Sequence, residues 1–245
     1  MTESLGEKLY DLIEKIDRPY IFNNENIDFN FYPSKDNDEN SGFMVFSSKS
    51  DIYPNSNEYK KYEVLNKKEK IRYRHRYYAC YDLRKNNEDK KVLTFILFNP
   101  STANPTKADP TVKNCIKLAS DKKYNYNFVE IINLYSIRNS AVSKECIENN
   151  GLNNDFIKVF IKKRENNAYA KAWGFGKENK TYCKEQVNYV EKLLAEKQTE
   201  NDSIKVYRLN VKKAELEKLR KNILHPAAST WSVFGGIKAA ELVEN

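Results

Sequence analysis

Hydrophobic and polar positions along this chain follow two rhythms, and the changes between them mark its elements. Leu5, Leu9, Leu12, Ile13 and Ile16 recur at helical spacing, which predicts a helix over 3–16 that ends before Asp17-Arg18-Pro19. From there to about residue 60 the chain is rich in Asn, Asp and Ser, and only Gly42–Phe46 has strand character, so an irregular accessory segment is expected. Ile71–Leu83 then alternates strictly at first. Ile71, Tyr73, His75 and Tyr77 fall on one face, and Arg72, Arg74, Arg76 and Tyr78 on the other. A turn over Lys85–Asp89 predicts that this strand forms an antiparallel hairpin with the next one.

That next strand organises the rest. Val92–Phe98 is an unbroken apolar and β-prone run, as expected of a strand buried on both faces in a parallel sheet. It stops at Asn99-Pro100-Ser101-Thr102, because proline cannot donate to a ladder and restricts the residue before it. Asp109-Pro110 opens a helix over 109–123. Strands and helices alternate from here: strand 128–132, helix 154–163, strand 169–172, helix 181–197, strand 204–209 and a short basic helix 212–221. Such alternation predicts an α/β fold with parallel strands and right-handed crossovers. The expected division is an N-terminal helix and accessory segment over 1–70, followed by an α/β/α domain over 71–245.

In open α/β sheets the ligand crevice lies outside the carboxyl ends of the strands. Polar or glycine-bearing loops follow the strands here as FNPST, NLYS and WGFG, with LHPAAST one helix further on. Asn99, Ser101 and Thr102 are the first candidates, although Asn-Pro-Ser is also ordinary turn chemistry.

Composition narrows the classes. The 245 residues are 40% hydrophobic and 31% charged, with 17 tyrosines and 12 phenylalanines, as in a folded protein with a polar surface. The opening segment reads as a charged amphipathic helix rather than a signal peptide, and no run approaches transmembrane length, so a cytoplasmic protein without a membrane partner is expected. Cys80, Cys115, Cys146 and Cys183 stand alone, without zinc or iron–sulfur spacing, and read as reduced thiols. A net charge of +8 favours a polyanionic partner, though lysine-rich composition alone gives such values. Arg72, Arg74 and Arg76, interleaved with tyrosines, suit contact with a nucleic-acid backbone or, equally, a charged edge strand.

With two histidines and no cysteine pair, the sequence calls for neither a metal nor another cofactor. The markers of a nucleophile elbow, a P-loop and a dinucleotide fold are all missing. What the loops offer is Asn, Ser, Thr, Tyr, His and backbone amides, a set suited to reading a base or sugar edge and to orienting water.

These residues also carry a resemblance. FILFNPSTA…DPT, IINLYSIR, Gly151–Asp155 as GLNND, Ala172-Trp173-Gly174 and the late His225-Pro226 resemble the prokaryotic and phage family called domain of unknown function 1643, from about Tyr73 to Trp231. More distantly, the order of motifs is similar to that of uracil-DNA glycosylases: Asn-Pro, a strand ending in Asn, Trp-Gly, then His-Pro. Serine stands where that superfamily has glycine after Asn-Pro, and alanine where it has serine after His-Pro. The resemblance implies a three-layer α/β/α fold around a four-stranded, mainly parallel sheet. It also implies hydrolysis of an N-glycosidic bond in DNA, another nucleic acid or a nucleotide, including a modified base. Asn99 would then hold the attacking water, and His225 would stabilise charge on the leaving base. Pro100, Ser101, Thr102, Asn133 and Tyr135 would hold the base, with Tyr126 a second stacking candidate, and Pro226 would meet the backbone. The alternatives are a non-catalytic base- or DNA-binding module of the same fold and a phage or defence component that binds a protein partner.

Overall fold

The computed structural model describes residues 4–16, 29–32, 42–47, 75–83, 89–100, 110–136, 150–165, 167–174, 181–211, 226 and 240–244. Ser101, Thr102, His225, Arg72, Arg74 and the expected helix 212–221 lie outside them. The strands are β1 (Phe29–Tyr32), β2 (Gly42–Ser47), β3 (His75–Asp82), β4 (Val92–Leu97), β5 (Phe128–Asn133), β6 (Asn167–Lys171), β7 (Val206–Val211) and β8 (Ala240–Glu244). The helices are α1 (Leu5–Ile16), α2 (Pro110–Ala119), α3 (Gly151–Lys163) and α4 (Thr181–Glu200). No helix among the described residues is long and apolar enough to cross a membrane.

All the strands join one mixed sheet in the order β1-β2-β3-β5-β4-β6-β7-β8. The expected four strands, β5-β4-β6-β7, run parallel to their neighbours at its centre. The sheet itself is wider than four strands. β3 pairs antiparallel with β5, β8 pairs antiparallel with β7, and β1 and β2 extend the β3 side.

The expected hairpin between β3 and β4 does not form. Every β4 residue is buried, and both of its edges are occupied by parallel partners, so no edge remains for β3. The chain instead reverses past Asn127. Leu83 N donates to Asn127 O (2.9 Å), and Lys91 N donates to Asn127 Oδ1 (2.8 Å). This sends β3 to the far side of β5. β3 is therefore an interior strand, not the charged edge strand that its arginines suggested.

Alternation along β4 divides the core between the two faces of the sheet. Val92, Ile96 and Phe98 join α1, α3 and α4, whereas Leu93, Phe95 and Leu97 join α2. The β4–α2–β5 crossover thus covers one face. The β5–α3–β6 and β6–α4–β7 crossovers cover the other, as right-handed connections running in opposite directions require.

Helix α1 belongs to the same core: Leu9, Tyr10 and Ile13 are buried in it. A capping box starts the helix, with Glu7 N donating to Ser4 Oγ (3.2 Å) and Ser4 N donating to Glu7 Oε2 (2.9 Å). Its first turn presses on α3, where Gly6 N donates to Asp155 Oδ2 (2.8 Å). A Cβ on Gly6 would stand 2.6 Å from the Asp155 backbone carbon, so the contact requires glycine.

One buried charge lies under the sheet. Glu130, in the middle of β5 and fully buried, accepts Tyr78 Oη (2.8 Å), Thr94 Oγ1 (2.6 Å) and Arg164 Nη2. Arg164 Nη1 reaches Glu14 on α1 (2.9 Å), so this network ties α1, α3 and three strands together.

Candidate functional site

Because β4, β5 and β6 are parallel, their carboxyl ends share one edge of the sheet, and Asn99, Asn133 and Trp173 all lie there. The chain leaves β4 towards β5 on one side and reaches β6 on the other. The β4–β6 boundary is therefore the topological switch point, where a crevice opens in folds of this kind.

Backbone bonds lace the loops at this edge. Leu134 N donates to Leu97 O (2.8 Å), Tyr135 N to Phe98 O (3.0 Å) and Ala172 N to Ile96 O (2.9 Å). The Phe98 and Tyr135 rings meet edge to face, with centroids 5.4 Å apart. Tyr135 is fully buried and belongs to the core on the α3 and α4 side of the sheet. Asn99 is half-buried beside buried Pro100, and its Nδ2 donates to Pro100 O (3.2 Å), which fixes the amide over the turn. Gly174, after Trp173, has φ 107°, a backbone state that L side chains rarely adopt and that explains the glycine.

Asn133 is the residue that stands apart. It ends β5 opposite Leu97, and period-two alternation places it with Val129 and Ile131 on the α2 face. The residue is fully buried, yet neither Oδ1 nor Nδ2 has a hydrogen-bond partner. Each such unsatisfied atom costs about 1–3 kcal/mol. The indole Nε1 of Trp173, also at this edge, is likewise buried without a partner.

The backbone beneath Asn133 is, by contrast, held by a cluster of side-chain amides. Asn153 Nδ2 donates to Asn133 O (3.1 Å) and Leu134 O (3.0 Å). Asn150 Nδ2 (2.9 Å) and Gln186 Nε2 (3.1 Å) converge on the same Leu134 carbonyl. Both amides also donate to Asn154 Oδ1, each at 2.8 Å. The start of α3 is thus a brace for the loop after β5. Asn150, Asn153 and Gln186 were not singled out from the sequence as site residues, and the helix was expected to begin only at Asn154. The amide run over 149–154 beside a strand-end asparagine is the signal that marks them.

Two further residues are brought to this region. Pro226 is buried, and its carbonyl accepts Asn114 Nδ2 from α2 (2.8 Å), which places Pro226 on the α2 side of the sheet, the face on which Asn133 lies. Arg76, near the start of β3, donates its backbone N–H to Ser136 O (2.8 Å) at the end of the β5 loop. Its side chain is buried, not displayed on an exposed strand.

Tyr126 is not part of the site. It lies at the opposite, amino-terminal edge, where it lines a cleft of about 410 Å³ with Tyr124, Val92 and Ala168. Its phenol meets Tyr207 Oη at 3.3 Å, and burial followed by that bond raises its pKa. Among the described residues no group of three or more His, Cys, Asp or Glu side chains is placed to hold a metal.

The architecture is that of an α/β protein with a mixed sheet and helices on both faces, with Asn99, Asn133 and Trp173 gathered at the carboxyl ends of its central strands. The chain belongs to the family described as Protein of unknown function (DUF1643), whose model matches residues 80–226, from β3 to Pro226. No curated protein and no solved structure matches it.

Proposed function

We propose that the strand-end edge at the switch point forms a crevice that binds a nucleobase, carried by a nucleotide or a nucleic acid, and that the protein hydrolyses the N-glycosidic bond to that base. The observation that carries the reading is the unpartnered amide of Asn133. An asparagine offers an acceptor and donors side by side, the complement of a heterocycle edge that pairs a donor with an acceptor. Leaving that amide buried and unpaired costs stability unless a ligand supplies the missing bonds. The brace of Asn150, Asn153 and Gln186 fixes the loop so that the amide is oriented before the ligand arrives.

The chemistry rests on the resemblance to uracil-DNA glycosylases in the order of strand-end motifs. The parallel β5-β4-β6-β7 core between two helical layers supports the related fold. In this reading Asn99 positions the attacking water, and His225 stabilises charge on the departing base. Neither asparagine titrates, so acceleration comes from positioning and from hydrogen bonds to developing charge.

The test is single-turnover base release from normal, deaminated and modified substrates, with binding followed in parallel. Asn99→Ala should lower release about a hundredfold or more while binding persists, because a water-holding group acts mainly in the transition state. Asn133→Ala should weaken both. Binding without release by the unmutated chain would replace the enzyme reading with a base-binding module. Absence of both would overturn the proposal.

A further inference from the structure

Three described cations are buried: Arg76, Arg164 and Lys197. Two of them are compensated. Arg164, 6% exposed, pairs with Glu130 and Glu14, and Lys197 Nζ donates to Lys162 O (2.8 Å). Arg76 is as deeply buried, at 7% exposed, but its Nε is buried without a partner, and no carboxylate among the described residues pairs with it. A buried guanidinium without a counter-ion is costly to the fold.

The position of Arg76 is as telling as its isolation. A register shift against β2 makes Tyr77 an extra residue in β3, and Tyr77 and Tyr78 both pack on the α3 side, against Phe156 and Phe160. Alternation upstream of that bulge sends Arg76 to the α2 side, which is also the side of Asn133. Its backbone is bonded to Ser136, in the loop that Asn133 begins.

We propose that Arg76 is an anion subsite of the same crevice, receiving the terminal phosphate of a nucleoside monophosphate whose base is read by Asn133. This inference rests on the base-binding reading and narrows it. A guanidinium that is nine-tenths buried suits a phosphomonoester that enters the crevice whole. It is poorly placed to follow the phosphodiesters of a polymer running across the surface. The fork of donors matches phosphate bidentately, which explains arginine rather than lysine.

The test compares binding of nucleosides, their 5′- and 3′-monophosphates, ribose 5-phosphate and single-stranded oligonucleotides to the full chain. For one of the two phosphate positions, the monophosphate should bind roughly tenfold to a hundredfold more tightly than its nucleoside. Its affinity should also rise with pH through the second phosphate ionisation, near 6. Both readouts use the unmutated protein, so they stand even if a variant misfolds. Arg76→Gln should erase the phosphate preference and leave nucleoside affinity unchanged, and Arg76→Lys should restore it only in part. Asn133→Ala should weaken nucleoside and nucleotide alike while ribose 5-phosphate binding persists. Equal affinity for nucleoside and monophosphate would overturn the subsite but leave the base reading intact. Arg76-dependent binding of oligonucleotides that exceeds that of the monophosphates would overturn the mononucleotide assignment. Ribose 5-phosphate binding without nucleoside binding would instead remove the base reading and keep the anion site.

Discussion

If Asn133 is kept for a ligand, an apolar residue of similar size should make the protein more stable and less able to bind. Asn133→Leu tests this. The wild-type residue buries two polar atoms without partners, each costing about 1–3 kcal/mol, so removing both relieves at most about 6 kcal/mol. Two terms reduce that gain. The branched leucine must fit a site shaped for a planar amide next to Leu97, and such shape changes typically cost about 1–1.5 kcal/mol. Any water that enters when the crevice is empty would already satisfy part of the amide. A net gain of about 1–3 kcal/mol remains, or a rise in Tm of very roughly 2–12 °C for a chain of this size. Urea unfolding should show a higher midpoint at an unchanged slope, since the surface exposed on unfolding hardly changes. Saturating nucleotide should raise the Tm of the wild-type chain and leave that of the variant where it was. A fall in stability by more than about 1 kcal/mol would mean that the amide is already satisfied, and the case for a ligand would lose its physical basis.

Other consequences can be measured on stability alone. Glu130→Gln should cost about 3–5 kcal/mol, because it leaves Arg164 buried without its inner carboxylate; a urea midpoint within error of wild type would show that the network is idle. Gly6→Ala should destabilise by roughly 1–3 kcal/mol, since its Cβ meets Asp155 backbone at 2.6 Å; neutrality by thermal unfolding would show that α1 moves freely over α3. The tyrosine shifts predict an alkaline limb. Burial first, then Glu14 for Tyr10, the Tyr207 bond for Tyr126 and Asp155 for Tyr189, raise all three phenols above their usual range. The native state therefore keeps protons that the unfolded chain releases near pH 10. Their contribution is complete below about pH 10 and is lost as pH climbs through the raised native values. Urea midpoints should fall between about pH 9.5 and 11; a flat profile would contradict the burial of these rings.

The parts of the fold that could be read from residue pattern are those set by local physics. β4 was legible because an unbroken apolar run ended by Asn-Pro has few other homes, and β4–β7 with α2–α4 followed from alternation. The strand-end positions of Asn99, Asn133 and Trp173 came with them. Pairing was not legible in the same way. β3 and β4 are separated by a turn-like segment, but which strand β3 joins depends on which sheet edge is free, a property of the assembled core. Glu130 was hidden because a single acid inside Phe128–Ile132 does not disturb the periodicity that identifies a strand, and its partners come from β3, β4 and the end of α3. The burial of Arg76 was hidden because alternating arginines and tyrosines read as an exposed edge strand, whereas β3 lies inside the sheet between β2 and β5. Asn150 and Asn153 were not legible, because their work is done on a neighbouring loop.

The most direct test of the account is a structure of the chain with a nucleoside or nucleotide bound. The base should lie over the Asn99-Pro100 turn, within hydrogen-bond distance of both Asn133 Oδ1 and Nδ2, with any phosphate towards Arg76. A base bound elsewhere, or an Asn133 amide fully bonded to protein groups in the presence of ligand, would contradict it.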